Sequence, residues 1–182
     1  MNYCDYTATL PPDNPHRRYH DHEYGYPVAD DNRLFERLVF EINQAGLSWT
    51  TILNKADNLR RAYDGFDIAR VAAYGEADTA RLLADAGIIR NRRKIEAAIH
   101  NARVIQALQA AHGSFRAWLD AQACADKAAW VKLFKKTFAF TGPEITGEFL
   151  MSSGYLEGAH RRDCPVYARI LAAHPRWLTG GG

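Results

Sequence analysis

The chain has 182 residues, which is enough for one sizeable hydrophobic core or two small lobes but not for several independent domains. Its 47% hydrophobic and 24% charged residues exclude a disordered or fibrous protein, and a formal net charge of +2 does not by itself indicate nucleic-acid binding. No segment has the apolar pattern of a signal peptide or the length of a membrane span, so we expect a cytoplasmic protein without membrane contact.

The first 28 residues lack the apolar periodicity of a helix. The segment "YTATLPPDNPHRRYHDHEYGYP" is rich in proline, aromatic and charged residues and is predicted to be irregular. Because such a segment buries no apolar stripe, something other than a helix face must hold it in place. It contains four side chains of the types that bind zinc: Cys4, His16, His20 and His22.

The rest of the chain is predicted to be helical. In residues 31–46, apolar side chains recur at intervals of three and four, Asp31 or Asn32 can cap the start, and Gly46 ends the helix. Similar patterns occupy residues 50–66, 67–75, 76–87, 92–113, 114–122, 127–136, 143–154 and 164–174. Since no period-two run is long enough for a strand, the predicted fold class is all-α.

Two metal-binding side chain types stand close together near the carboxyl end of the chain. His160 and Cys164 are four positions apart, a spacing that places both on one face of a helix. Three cysteines are an odd number and argue against a disulfide framework. Cys4 and one histidine of the first segment would complete a zinc site. In the alternative interpretation, His160 covers a helix surface and Cys164 is a small buried hydrophobe.

Four blocks of sequence together resemble the DNA-3-methyladenine glycosylase I family: "YHDHEYG" (19–25), "EINQAGLSW" (41–49), "LLADAGIIRNRRKIEAAIHNAR" (82–103) and "TFAFTGPEITGEFLMSSG" (137–154). The blocks have the family's order and approximate spacing. The resemblance implies a single all-α domain over residues 1–182, with the two lobes and DNA-facing cleft of the helix-hairpin-helix glycosylases. It also implies a structural zinc ion that joins the two ends of the chain through Cys4, His20, His160 and Cys164, and it leaves His16 and His22 as surface residues.

The resemblance assigns the base pocket to five residues. A glycosylase must extrude the damaged nucleotide, and alkylation at N3 of adenine makes that base cationic, so an aromatic face and a carboxylate would bind it. Trp49 matches the family's stacking tryptophan, Glu41 its base-reading glutamate and Tyr19 its pocket tyrosine. Tyr6 and Tyr24 stand where the family commonly has tryptophan and are expected to line the pocket. From the pattern alone, Glu41 would face water and Trp49 would be a core aromatic.

The DNA contacts are predicted on two turns. Gly46 would end a helix and leave Leu47 exposed, so Leu47 and Gln44 are the candidates for filling the gap left by the flipped base. The hairpin "FAFTG" would bring backbone N–H groups near Gly142, together with Lys136, to a DNA phosphate. A core plug and an ordinary helical hairpin are the alternatives for these two turns. The basic run at residues 90–94 would face water or follow the DNA backbone.

The predicted function is hydrolytic excision of 3-methyladenine by a monomeric, monofunctional DNA glycosylase. Its partner is double-stranded DNA with alkylated bases, its product free 3-methyladenine and its cofactor a structural zinc ion. Glu41 is the expected catalytic residue, with water as the nucleophile. The sequence departs from the family pattern at three positions, Pro143, Glu144 and Gly147. We expect these departures to affect the range of alkylated bases that the protein excises. The alternatives are a non-catalytic DNA-binding or lesion-sensing protein of the same fold and a zinc-stabilised helical interaction module.

Overall fold

The computed structural model describes residues 2–180, and this part of the chain contains helices but no β-strand, which confirms the all-α prediction. No helix within it is both long and apolar enough to cross a lipid bilayer. In chain order the α-helices are α1 (Tyr3–Ala8), α2 (Pro15–His22), α3 (Asp31–Gln44), α4 (Trp49–Ala62), α5 (Ile68–Ala72), α6 (Glu76–Ala84), α7 (Arg92–His112), α8 (Phe115–Asp120), α9 (Lys127–Thr137), α10 (Pro143–Ser152), α11 (Pro165–Ala172) and α12 (Arg176–Thr179). A short 3₁₀ helix, Asp64–Phe66, follows α4.

The beginning of the chain is more regular than its composition predicts. Residues expected to be irregular form α1 and α2, so that prediction was wrong. Asn2 and Asn14 accept hydrogen bonds from the first free N–H groups of the two helices, and Pro15 begins α2 at a position where its missing N–H is not needed. Pro15, which contributed to the prediction of an irregular segment, is therefore a helix-start signal. Helices of six and eight residues are not stable alone, so they depend on tertiary contacts.

Helix α3 begins with a different cap from the two that were predicted. The side chain of Asp30 accepts a hydrogen bond from the Arg33 N–H at 3.1 Å, so neither Asp31 nor Asn32 is the cap. Asn32 instead accepts a hydrogen bond from the Ile68 N–H and ties α3 to the start of α5. The helix ends at Gln44, and Gly46 follows with φ of +79°, a conformation that glycine adopts without strain.

The chain divides into two compact units. One comprises the residues up to Val28 and those from Gly147 onward, and the other comprises Ala29–Thr146. In the first unit, two thiol-bearing residues belong to a small apolar cluster, whose buried members are Cys4, Cys164, Val166 and Ile170. Tyr26, Tyr167 and Trp177 pack against this cluster. Both ends of the chain therefore contribute to one core.

The second unit is built around α7, its longest helix. One face of α7 is buried against the shorter helices α3, α5, α6 and α8. A stack of aromatic rings completes the core, in which Phe66 lies 5.3 Å from Tyr63 and 5.9 Å from Phe35 between ring centroids. The burial follows the three-and-four spacing of apolar residues along α3 and α7.

We expect replacement of Asp31 by alanine to destabilise the second unit by about 2–3 kcal/mol, because it leaves several donors without their charged acceptor. The Asp31 carboxylate accepts hydrogen bonds from the Gln109 side chain and from the N–H groups of Phe115 and Arg116, at 2.8, 2.8 and 3.1 Å. Urea unfolding measures the change. The control is Asp57→Ala, whose side chain is 85% exposed and pairs only with Arg60 among the ion pairs of the described chain. Equal stability of the two variants would contradict the prediction.

Candidate functional site

Four metal-ligating side chains from distant parts of the sequence meet in the first unit. They are Cys4, His20, His160 and Cys164, the set that the resemblance implied. Cys4 lies in α1 and His20 in α2, while Cys164 stands directly before α11 without a side-chain cap hydrogen bond. His160 lies in the non-helical segment before α11, so His160 and Cys164 do not share a helix face as their spacing predicted. All four are buried, and their ligand atoms lie within 4.8 Å of one another. The tertiary structure thus brings together residues separated by as many as 160 positions.

The spacing of the ligand atoms matches a tetrahedron. Zinc bond lengths to sulfur and nitrogen give a tetrahedron with edges of roughly 3.3–3.8 Å. The two histidine nitrogens, Nδ1 of His160 and Nε2 of His20, are 3.2 Å apart. The Cys164 sulfur lies 3.7 Å from the His20 nitrogen and 3.8 Å from the His160 nitrogen, and the Cys4 sulfur lies 3.9 Å from the latter. Four of the six separations are thus close to the edges of such a tetrahedron, and the other two are no longer than 4.8 Å. The four side chains have the chemistry and approximate spacing of a four-ligand zinc site.

In each clustered histidine, one ring nitrogen faces the other ligands and the other, outer nitrogen faces away from them. The hydrogen bond made by the outer nitrogen determines whether the inner nitrogen carries a proton. His160 Nε2 lies 2.6 Å from the Tyr24 carbonyl oxygen, and His20 Nδ1 lies 2.7 Å from the Asp21 carboxylate. Because these oxygens only accept, each outer nitrogen carries the proton and each inner nitrogen of the neutral ring presents a lone pair. Two lone pairs facing each other at 3.2 Å require a proton or a cation between them. The hydrogen bonding thus favours a metal ion.

The electrostatics of the cluster agree with its geometry. Burial lowers the pKa of His160, so its imidazole is neutral, as a metal ligand must be. Burial, together with the neighbouring Cys164, raises the pKa of the Cys4 thiol, and a bound cation would offset this effect by favouring the thiolate. Burial opposes ionisation of Asp21, but hydrogen bonds from Arg17 and His20 outweigh it and lower the pKa of this carboxyl.

The other two histidines of the first segment, His16 and His22, differ in their exposure to solvent. His22 is exposed, as expected. His16 is buried, so its assignment to the surface was wrong. Its Nδ1 lies 3.1 Å from the Tyr3 hydroxyl, and burial lowers the pKa of its imidazole. His16 is not among the clustered ligands and packs as an aromatic side chain against Tyr3 and Tyr6.

The second unit contains the two residues assigned to base reading. Glu41 lies in α3 and is only 5% exposed, which excludes the interpretation that it faces water. Trp49 is the first residue of α4 and is partly exposed, unlike a fully buried core aromatic. The side chain of Ser48 caps α4 and accepts a hydrogen bond from the Thr51 N–H. A short turn, residues 45–48, therefore connects the helix that carries the carboxylate to the helix that carries the indole.

The three tyrosines assigned to the pocket lie in the first unit. The rings of Tyr19 and Tyr24 are buried and stack with centroids 5.5 Å apart. Tyr24 is held at two points, because its hydroxyl donates to Glu148 and its carbonyl accepts from His160. Tyr6 is 38% exposed and contacts the rings of Tyr3 and His16. Of the three tyrosines, Tyr24 also packs against the four-residue cluster, because its ring lies 5.5 Å from the His160 ring between centroids.

The predicted DNA-contacting residues are accessible. Leu47 is 40% exposed on the 45–48 turn and Gly46 is exposed beside it, so Leu47 is not a core plug. Gln44, the last residue of α3, is partly exposed. The second turn, residues 138–142, connects α9 to α10. Gly142 is exposed at the end of this turn, and Lys136 is exposed near the end of α9. The surface positions are as expected, and their contact with DNA stays a prediction.

A family model described as methyladenine glycosylase matches residues 10–167 of the chain, which include the carboxylate, the indole and three of the four clustered ligands. The chain belongs to the methyladenine glycosylase family. This member is 31% identical to the DNA-3-methyladenine glycosylase of Haemophilus influenzae over 81% of its own length and 89% of that protein. It is 53% identical to DNA-3-methyladenine glycosylase 1 of Escherichia coli, but over 47% of its own length and 46% of that protein.

Solved structures agree with the family assignment. The 3-methyladenine DNA glycosylase I of Staphylococcus aureus, studied for its recognition of 3-methyladenine, is 30% identical to this family member. The two structures align with a TM-score of 0.80 over 92% of this chain and 97% of that one. Another 3-methyladenine DNA glycosylase I structure is 34% identical and aligns with a TM-score of 0.76 over 86% of this chain and 96% of that one.

Three polar residues of this family member have roles that sequence reasoning missed. Lys94 was placed in a basic surface run, but it is buried and donates hydrogen bonds to backbone carbonyls at the end of α3. The buried spacing of α7, which includes Ile95, Ala98 and Ala102, is the signal that it lies inward. Asp21 orients His20, as its adjacent position suggests. Asn101 binds Ala139, and no sequence pattern indicates this contact.

Proposed function

We propose that this chain excises 3-methyladenine from double-stranded DNA by hydrolysing the N-glycosidic bond. The burial of the Glu41 carboxylate carries the proposal. A charge in a low-dielectric site discriminates strongly between a cationic ligand and a neutral one, and adenine alkylated at N3 is cationic. The relatives named DNA-3-methyladenine glycosylases support the same substrate.

Hydrolysis of this N-glycosidic bond requires few catalytic groups from the protein. A cationic purine leaves as a neutral base, so no general acid is needed to protonate it. Glu41 binds the base and stabilises the positive charge that develops on the sugar, while water is the nucleophile. Trp49 supplies the aromatic face on which the cation stacks. The family resemblance assigns further base contacts to Tyr6, Tyr19 and Tyr24.

The DNA would be bound through the exposed turns of the second unit. Leu47 is an apolar side chain on a turn, the type of group that enters the base stack when a nucleotide leaves it, and Gln44 lies beside it. At the second turn, α10 begins with Pro143, and the N–H groups near Gly142 suit a phosphate oxygen. Lys136 adds a positive charge at the end of α9.

We also propose that a structural zinc ion is bound by Cys4, His20, His160 and Cys164. Buried ligands, tetrahedral spacing and the two inward lone pairs support it. A site with four protein ligands leaves no position for substrate, so the ion would stabilise the fold and take no part in base excision. A DNA substrate and reduced thiols fit a cytoplasmic, monomeric protein.

The test is base release from duplex DNA that carries 3-methyladenine, with DNA carrying 7-methylguanine and unmodified DNA as comparisons. We expect release of free 3-methyladenine well above the spontaneous rate, without strand cleavage, because no Schiff-base lysine takes part. The alternative is a lesion-sensing protein of the same fold, which would bind the damaged duplex without releasing the base. Binding without release would therefore reject the proposed activity and retain the proposed DNA contacts.

A further inference from the structure

Helix α7 contacts both of the proposed DNA-binding turns through buried polar side chains. The first contact is made by Lys94, whose ammonium donates hydrogen bonds to the carbonyl oxygens of Asn43 and Ala45 at 2.8 and 2.6 Å. These carbonyls are at the carboxyl end of α3, where the helix has no further N–H groups to offer and carries a partial negative charge. Lys94 thus fixes the point at which α3 ends and the 45–48 turn begins.

The second contact is made by Asn101. Its amide nitrogen donates to the Ala139 carbonyl at 3.0 Å, and its amide oxygen accepts from the Ala139 N–H at 2.8 Å. The side chain therefore satisfies both backbone groups of one residue in the 138–142 turn. A further contact comes from Arg93, whose guanidinium lies 5.7 Å from the centre of the Phe140 ring. Phe140 has φ of +62°, so its backbone is in a conformation that needs such support.

The two contacts come from the same face of α7. Lys94 and Asn101 are seven positions apart, so their side chains point in nearly the same direction about 10.5 Å apart along the helix. Both are buried, with exposures of 5% and 0%. Burial lowers the pKa of Lys94, because loss of water disfavours the charged ammonium.

We propose that Lys94 and Asn101 are positioning residues, which hold the 45–48 turn and the 138–142 turn at the separation that damaged DNA requires. The inference rests on the proposed DNA-glycosylase function. The residues would not touch DNA or the base. They would act through Leu47, on the turn after α3, and through the N–H groups near Gly142, which follow the residue that Asn101 holds. A displacement of either turn by about 1 Å is enough to reduce a rate roughly 100-fold.

Each residue has a matched control in the same unit. Lys55 directs its ammonium at the carbonyl oxygens of Ala86 and Gly87, and the amide of Asn58 donates to Gly87. These are contacts of the same chemical kind, made to the loop after α6 rather than to a proposed DNA-binding turn. The variants Lys94→Met and Asn101→Leu are therefore compared with Lys55→Met and Asn58→Leu.

We expect Lys94→Met to reduce base extrusion, measured by the fluorescence of 2-aminopurine next to the lesion at saturating protein. Single-turnover excision should fall roughly 10- to 100-fold, whereas affinity for free 3-methyladenine should stay within about twofold, because Trp49 and Glu41 remain. Asn101→Leu should weaken binding to undamaged DNA about tenfold and reduce its dependence on salt concentration. The two control variants should extrude, excise and bind as the unaltered protein does.

A merely structural role would lower the urea midpoint and leave extrusion and DNA affinity unchanged in the folded protein. Wild-type extrusion and excision by folded Lys94→Met, or wild-type DNA affinity of folded Asn101→Leu, would overturn the corresponding assignment. If Lys94→Met or Asn101→Leu does not fold, it is replaced by Lys94→Gln or Asn101→Asp, which retain polar side chains. The same losses of extrusion and excision, or of DNA affinity, are expected for these variants. If the unaltered protein excises no base, the proposed function fails, whereas extrusion and DNA affinity still test the positioning residues.

Discussion

Replacement of Cys164 by alanine should abolish stoichiometric zinc binding and cause a large loss of stability. Cys164 is one of four ligands, and its sulfur lies 3.7–3.8 Å from both histidine nitrogens. Suppose that loss of the Cys164 sulfur weakens zinc binding about 1,000-fold, at a zinc concentration that saturates the unaltered protein. The free energy of unfolding then falls by about 4 kcal/mol. The effect is large because α1 and α2 are short helices that depend on their tertiary contacts.

The zinc content of purified protein and its urea unfolding test this result, with a reductant present so that Cys4 and Cys164 cannot form a disulfide. A chelator added to the unaltered protein should reproduce the loss, and added zinc should reverse it. Cys124→Ala is the matched control, because this thiol is partly exposed and outside the cluster. Purified protein without metal, or unchanged stability after chelation, would reject the zinc proposal.

Replacement of Glu41 by glutamine should reduce single-turnover excision of 3-methyladenine about 100- to 1,000-fold, the typical effect of removing one preorganised electrostatic contact. Glutamine has nearly the same shape and can still form hydrogen bonds, so the fold should be retained. The loss would therefore report the missing negative charge. Affinity for DNA that carries the cationic lesion should fall in parallel, whereas affinity for undamaged DNA should not change.

The control is Glu36→Gln, which alters a second buried carboxylate on the same helix. Glu36 is 6% exposed and pairs with Arg60 at 2.5 Å and with Arg33 at 3.4 Å. Its neutralisation should lower stability, because it removes the charge that pairs with two arginines, and should leave excision unchanged. Full excision by Glu41→Gln, or equal losses of excision in both variants, would remove the catalytic assignment of Glu41.

The helices from α3 to α11 were predictable from the sequence, because a helix that packs on a core repeats its apolar residues every three or four positions. The exposed turn at Leu47 was predictable too, since a glycine after the last apolar position of a helical pattern commonly marks the end of a helix, and Gly46 has the positive φ of such a position. The spacing of residues in the sequence was not enough to predict all four candidate metal ligands. His160 and Cys164 indicated half of a site, and only the family resemblance selected His20 rather than His16 or His22.

The tertiary structure alone decided which partners the buried polar residues have. Lys94 resembles its exposed neighbours Arg92 and Arg93 in charge. The buried spacing of α7 indicates that Lys94 faces inward, but its partners are carbonyl groups at the end of α3, some fifty positions away. His16 likewise has no local pattern that predicts its burial against Tyr3. The sequence by itself determined the helices from α3 to α11, because their hydrogen bonds and apolar stripes are local. Only the fold decided the partners of buried polar groups, because these come from residues that are distant in the chain.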